Sequence, residues 1–313
     1  MSDLPVAVAL MGPTASGKTR LAVELALALG GEVISVDSGL VYRGMDIGTA
    51  KPGLEERRGV PHHLIDILDP AEAYSTGLFR AQALERIGAI TGRRRLPILA
   101  GGSMLYFHAL FHGLAELPAA DPEIRRQIDE EARLRGWHPL HRELATVDPE
   151  AAARIHPNDP QRIQRALEVY RITGIPISML RAQAAAEPPG CRWVRVVVSP
   201  SDRETLHQRI RQRFLGMLEQ GLVAEVEALY RRGDLEPSLP SLRAVGYRQV
   251  WSYLSGQWDY ATMTDKAIGA TRQFAKRQYT WLRRQPDALH GRSENPALLA
   301  ELLRDLEPVL SAA

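Results

Sequence analysis

Three observations predict an α/β protein: a parallel sheet flanked by helices and interrupted by an all-helical insertion. Short apolar runs alternate with segments of helical periodicity through the first hundred residues. Strand signals vanish between roughly Leu117 and Pro189, and an apolar run, Arg192 to Ser199, returns after that gap. Strands alternating with helices pair in parallel, and such a sheet is covered on both faces. At 313 residues the chain exceeds the common single-domain size, so it divides into a core over 1–116, an insertion over 117–190 and a resumed core over 191–313.

Val6 to Met11 is short, wholly apolar and ends at Gly12, as a buried strand does. Gly17 to Leu29 carries Leu21, Ala22, Leu25 and Leu29 at helical spacing and stops at Gly30-Gly31. Val33 to Val36 reads as a second strand, His63 to Ile67 as a candidate third, and Leu96 to Ala100 as a fourth after a helix from about Gly77 to Thr91. The insertion reads as helices over Pro122–Leu134, Pro139–Leu144, Pro149–Ile155 and Pro160–Ile172, with Ala182 to Gly190 as a hinge. Beyond Arg192–Ser199, helices run through Gln220, Tyr230 and Tyr253, and the last strong one spans about Tyr260 to Arg284.

Hydrophobic residues at 45% and charged residues at 24% exclude a disordered chain. The N-terminus has no basic stretch and too short an apolar run for secretion or a membrane span, so a cytoplasmic protein without a membrane partner is expected. Cys191 is the only cysteine, which excludes an intramolecular disulfide and a cysteine-rich zinc module. The net charge of +2 announces no partner, but Ser241 to Arg292 holds nine basic residues against three acidic ones. That clustering is the footprint of a phosphate-rich partner; unpaired surface charge is the alternative.

Gly12-Pro13-Thr14-Ala15-Ser16-Gly17-Lys18-Thr19 fits G-x-x-x-x-G-K-[ST] between a strand and a helix, the signature of a P-loop and of a P-loop NTPase-like sheet. Loop amides and the helix N-terminus surround a phosphate chain, Lys18 adds a charge, and Thr19 offers its hydroxyl to Mg²⁺. An enzyme that hydrolyses nucleotides would place a metal-binding aspartate at a second strand end, but the fourth strand ends in Gly101-Gly102-Ser103 and the fifth in Ser199-Pro200. Asp37, closing Ile34-Ser35-Val36, does sit at a strand end facing the crevice where the loop opens. It is a candidate general base; the alternative is an aspartate that caps its own turn.

With these residues in hand the sequence resembles the bacterial tRNA dimethylallyltransferase family. The likeness is carried by the P-loop, Val36-Asp37-Ser38 followed by Val41 to Pro52, Gly101-Gly102-Ser103, His156 to Arg162, Val245 to Gln249, and Ala275 to Arg283, in that order over nearly the whole chain. The resemblance implies transfer of a dimethylallyl group from dimethylallyl diphosphate to the N6 amine of the adenosine 3′-adjacent to the anticodon, in tRNAs reading codons that start with U. It implies that residues 12–19 hold the diphosphate with Mg²⁺ at Thr19, and that Lys18, Thr19, Asp37, Ser103 and Arg213 serve catalysis. For the tRNA anticodon stem-loop it implies Asp37, Ser38, Gly39, Leu40, Gly101, Glu123, Gln161, Arg162, Ile163, Gln164 and Arg165. It adds Arg243, Ala244, Val245, Gly246, Tyr247 and Arg248, then Lys276, Arg277, Gln278, Tyr279, Thr280, Trp281, Leu282 and Arg283. Ser103 stands where the family commonly has threonine, which keeps the hydroxyl.

The residues fit that chemistry. An adenine amine is a weak nucleophile and needs a group to take its proton, which Asp37 supplies; amides of residues 14 to 19, Lys18, Arg213 and Mg²⁺ face the departing diphosphate. A base stacked in an anticodon loop must be extruded to react. On the last long helix Arg272, Lys276, Tyr279 and Arg283 share one face, while Ala267, Ala270, Phe274 and Trp281 form another that packs inward. Arg162 and Arg165 lie one turn apart and either grip nucleic acid or pair with Asp159 and Glu168. His62-His63 and His108/His112 lack a third ligand at zinc spacing and are rejected as metal sites. A small-molecule kinase holding ATP in the loop, or a prenyltransferase acting on free adenine nucleotides, would use Lys18, Thr19 and Asp37 equally well. The basic C-terminal region and the insertion favour a macromolecular acceptor, and a monomer is the expected state.

Overall fold

A computed structural model describes residues 4–183 and 190–311. Residues 184–189 of the segment read as a hinge lie outside the described residues. The chain packs as two compact units, 1–111 with 190–313, and 112–189.

In chain order the first unit opens with β1 (Val6–Met11), α1 (Lys18–Leu29), β2 (Gly31–Val36), α2 (Leu54–Arg57), β3 (His62–His63), α3 (Thr76–Gly92), β4 (Leu96–Gly101) and α4 (Met104–His112). The second unit is helical: α5 (Pro122–Arg135), α6 (Trp137–Val147), α7 (Pro149–Arg154), α8 (Pro160–Thr173) and α9 (Ile177–Gln183). The first unit resumes with β5 (Arg192–Ser199), α10 (Arg203–Glu219), α11 (Leu222–Tyr230), α12 (Tyr247–Leu254), α13 (Tyr260–Leu282), β6 (Leu289–Arg292) and α14 (Leu298–Ser311).

Among the described residues the sheet has six strands in the order β3-β2-β4-β1-β5-β6, all parallel. Alternation along each strand feeds two separate cores. Ala7, Ala9 and Met11 of β1 face one, packed under α3, α4 and α10 to α13; Val8 and Leu10 face the other, under α1 and α14. Both faces are therefore covered, and for that reason β1 reads as an unbroken apolar run and β2 is buried along its whole length. The helical unit has its own core around Ile128, Leu140, Leu144, Ile163 and Leu167. No helix among the described residues is long and apolar enough to cross a membrane.

Three expectations are corrected. The third strand is only two residues long, because Leu64 (φ 61°) and Asp66 (φ 57°) turn the backbone out of extended geometry. β6 adds an edge strand beside β5, where Val196 to Ser199 pair with Leu289 to Arg292. Past the helix that ends at Leu282, α14 buries Leu298, Leu302 and Leu306 on the α1 side of the sheet.

Candidate active site

β1 delivers the P-loop and β2 delivers Asp37 at the same sheet edge, with β4 between them. Gly12 must be glycine, since a side chain there would run into the Val198 carbonyl and the Ser16 hydroxyl. Ala15 holds a left-handed conformation (φ 62°), a strained choice for a residue with a Cβ, at the tip of the loop. At the end of β4, Gly101 lies so close to the Val36 carbonyl that no side chain fits. That contact brings Ser103 against the Asp37 turn: its amide donates to Val36 O (3.1 Å) and its Oγ accepts from the Ser38 amide (3.0 Å).

A cleft of about 450 Å³ in the first unit gathers these parts. Thr14, Ala15, Lys18, Thr19, Asp37, Ser103 and Arg213 line it. So do Ser38, Gly39, Leu40, Gly101, Arg243, Ala244, Val245, Gly246, Arg277 and Gln278. Its apolar wall comes from Tyr74, Ile210, Phe214, Met217 and Phe274. A larger opening of about 970 Å³ lies on the other side of the loop and shares Ala15, Ala50, Arg213 and Met217 with the first.

Lys18 donates to the Pro13 carbonyl at 3.2 Å. Burial pushes its ammonium down to about 8; Asp37 opposes that shift and Arg213 adds to it. Burial likewise lowers Arg213, again opposed by Asp37. Two cations and one carboxylate thus converge at the loop, a net positive site that an anion would relieve. Asp37 caps its own turn, with Oδ1 accepting from the Gly39 amide at 2.9 Å. Its Oδ2 takes no hydrogen bond from the described residues, so the capping contact occupies only one oxygen of this half-buried carboxylate.

The loop after Asp37 is held from outside by groups that the sequence did not single out. Glu225 on α11 accepts the amides of Asp46, Ile47 and Gly48 (2.9, 2.7 and 3.1 Å) and the Tyr247 hydroxyl (2.6 Å). Lys51, nearly buried, bonds Asp46, Asp66 and the Tyr42 carbonyl. Tyr247 is therefore fully buried, and Gly48 lies against its ring. Glu225→Ala is expected to cost about 2 kcal/mol or more, because four donors lose a charged acceptor together. Urea unfolding checks this; an unchanged midpoint would mean the loop is held elsewhere.

On α13 the inward face differs from the one expected. Met263, Ala267, Ala275, Gln278 and Leu282 are buried, whereas Phe274 lines the cleft with the Arg277 guanidinium 5.8 Å from its ring. Lys276, Arg277, Thr280 and Arg283 are exposed; Tyr279 and Trp281 are half-buried, the latter 6.1 Å from the His108 ring. Thr14's amide donates to Gln278 Oε1 (2.9 Å), so the free amides of the loop begin at residue 15, not 14. Gly12, Pro13 and Ser16 are buried beneath it.

In the helical unit, Gln161 and Arg162 are exposed on α8 and Gln164 and Arg165 half-exposed, while Ile163 is wholly buried. Arg165 bonds the buried Glu168 (2.6 Å) and the Pro118 carbonyl, and Arg162 lies 3.4 Å from Asp159, so both arginines make the ion pairs weighed from sequence. Glu123 is tied to Arg126 at 2.6 Å. Burial lowers Arg181, which the sequence did not single out; Arg162, Arg165 and Arg154 add to that shift and Asp148 opposes it. His63 bonds Glu32 and His62 bonds the Val60 carbonyl.

The fold and the phosphate loop define a P-loop α/β protein whose cradle adjoins an aspartate. The chain belongs to the IPP transferase family, whose profile matches residues 40–285. It is similar to the tRNA dimethylallyltransferase of Methylococcus capsulatus, 60% identical over 297 residues and 95% of each chain. The one from Thioalkalivibrio sulfidiphilus is 58% identical over 302 residues, 96% of this chain and 94% of the relative. The solved full-length tRNA isopentenylpyrophosphate transferase of Bacillus halodurans matches with a TM-score of 0.73 at 38% identity, covering 99% of this chain and 98% of that one. A eukaryotic dimethylallyltransferase, solved acting on tRNA, matches at 0.76 and 27% identity over 92% of this chain and 74% of its own.

Proposed function

We propose that this chain transfers the dimethylallyl group of dimethylallyl diphosphate to the N6 amine of the adenosine 3′-adjacent to the anticodon, in tRNAs reading codons that begin with U, with release of diphosphate. The observation that carries the reading is a single cleft with a cationic phosphate cradle, a carboxylate beside it and an apolar wall. The amides of residues 15 to 19, Lys18 and Arg213 hold the diphosphate and stabilise the charge that it gains on leaving. Asp37 accepts the proton that the amine loses as nitrogen bonds the allylic carbon, and Ser103 holds the Asp37 turn in place. Tyr74, Ile210, Phe214 and Phe274 supply apolar surface for the prenyl chain and for a purine taken out of its stack.

Mg²⁺ fits this donor set. It commonly takes one or two protein oxygens and completes its shell with phosphate and water, and Thr19 offers a hydroxyl at the cleft. When bound there it would neutralise charge on the diphosphate.

For the acceptor, Lys276, Thr280 and Arg283 on α13, with Arg243, Arg248 and Arg277, form the basic approach to the cleft. Ser38 to Leu40, Gly101 and Ala244 to Gly246 form its rim, and Tyr279 and Trp281 offer aromatic edges. Gln161, Arg162, Gln164, Arg165 and Glu123 of the helical unit meet the stem, with Arg154 and Arg181 adding phosphate contacts. Ile163, Tyr247 and Leu282 act from within, because their side chains are buried. We read the protein as a monomer that meets its tRNA acceptor in the cytoplasm.

Labelled dimethylallyl diphosphate or labelled ATP, incubated with the protein, Mg²⁺ and either unmodified tRNA or AMP, tests the reading. Label should pass from the allylic donor to tRNA alone. Passage from ATP to a small acceptor, with none from donor to tRNA, would decide for a kinase. Lys276→Ala with Arg283→Ala should weaken tRNA binding about tenfold near physiological salt and flatten the log–log salt slope by about 1 to 2. An unchanged slope would move the nucleic acid off α13.

A further inference from the structure

Gln278 stands inside the stretch of α13 that the family resemblance gives to tRNA, yet, although it borders the cleft, it is 3% exposed and both ends of its amide are taken by backbone groups. Its side-chain amide spans two loops far apart in sequence. Oε1 accepts the Thr14 amide of the P-loop at 2.9 Å, and Nε2 donates to the Gly102 carbonyl at 2.8 Å. The next residue, Ser103, holds the Ser38 amide through its Oγ, and Ser38 follows Asp37 directly. Gly102 is pressed against the same amide, since a Cβ there would sit 2.5 Å from Gln278 Nε2.

We propose that Gln278 is a positioning residue that fixes the distance between the diphosphate cradle and the base loop, and that it does not contact tRNA. The inference rests on the proposed transferase reading. A side-chain carboxamide accepts at its oxygen and donates at its nitrogen, which is what this bridge requires. Glutamate would offer two acceptors to a carbonyl and a charge to the diphosphate; methionine keeps the volume and leaves Thr14 N–H and Gly102 C=O unpaired in a buried site. Because α13 also carries Lys276, Arg277 and Arg283 on its exposed side, the helix that meets the acceptor is fastened through Gln278 to the loop that meets the donor. A small misplacement of the cradle relative to the base lowers the rate of transfer without touching the affinity for either substrate's remote parts.

The test compares wild type, Gln278→Met, Gly102→Ala and the double variant in dimethylallyl transfer to unmodified tRNA, with tRNA affinity measured separately by filter binding. Single-turnover transfer should fall on the order of 30-fold in Gln278→Met while the tRNA Kd stays within about twofold. Gly102→Ala displaces the same amide and should show the same split, and the double variant should be no slower than Gln278→Met, because both break one link. A weakened tRNA Kd with an unchanged rate would return Gln278 to the tRNA surface, and a wild-type rate in Gln278→Met would overturn the proposal outright. If Gln278→Met fails to fold, Gly102→Ala alone decides by the same criterion. Absence of transfer by the wild-type protein would instead sink the transferase reading.

Discussion

Asp37→Asn should bind dimethylallyl diphosphate and tRNA as the parent does, and transfer the dimethylallyl group about a thousandfold more slowly. The exchange is nearly isosteric. The carboxamide oxygen can still accept the Gly39 amide that Asp37 Oδ1 accepts at 2.9 Å, so the turn keeps its shape. What is lost is a group able to take the amine's proton. Asp37→Ala would confuse the two effects, because it also releases the Gly39 amide. Pre-steady-state transfer at saturating donor and tRNA, set beside calorimetric binding of pyrophosphate, separates chemistry from binding. Since Asp37 supports the charged form of both Lys18 and Arg213, the binding comparison is run over a range of pH, so that a cation that loses its charge is told apart from a lost base. Equal transfer rates in Asp37→Asn and the parent would take the proton-accepting role away from this carboxylate.

The parts of this site that were legible in the sequence are those built from local chemistry. The P-loop announces itself through its glycines, its lysine and the strand and helix that flank it, and β1, β2, β4 and β5 are rich in apolar residues because two cores claim alternate residues of each. Asp37 was legible as a strand-end acid. Contiguous motif blocks, by contrast, say little about which members face a ligand, because a helix turns about 100° per residue. Within Lys276 to Arg283 the helix sends Gln278 and Leu282 inward and Lys276, Thr280 and Arg283 outward. Tyr247 sits in another such block and is wholly inside, its hydroxyl on Glu225. Glu225 itself is one of two acids in an ordinary amphipathic helix, and only the loop that it holds, 177 to 179 residues earlier, gives it meaning. β6 is four residues of alternating exposure and exists because β5 offers an edge. α14 was readable, with Leu298, Leu302 and Leu306 four apart, although Pro308 within it interrupts the helical signal.

Lys18→Met should abolish tight donor binding, and it should also make the ligand-free protein more stable. The first effect follows from removing a cation aimed at the diphosphate, for which loss of about two to three orders of magnitude in transfer is the ordinary scale. The second follows from the state of Lys18 before any anion arrives. Its ammonium is buried beside Arg213, and its pKa falls from 10.5 to about 8. Below pH 8 the lysine is charged in both the folded and the unfolded chain, so the fold bears the whole penalty of holding that charge. Between about 8 and 10.5 the folded lysine gives up its proton while the unfolded one keeps it. The unfolded chain then binds more protons, and this residue's contribution to stability rises with pH across that window. In metal-free buffer with chelator, thermal midpoints of Lys18→Met should therefore exceed those of the parent at pH 7, and the gap should narrow steadily from pH 8 upward. Added pyrophosphate should reverse the order, since the parent gains an anion for its buried charge and the variant does not. A parent more stable than Lys18→Met at pH 7 without ligand would mean that the Pro13 carbonyl and Asp37 already satisfy the ammonium, and that the cradle is not held in a state waiting for an anion.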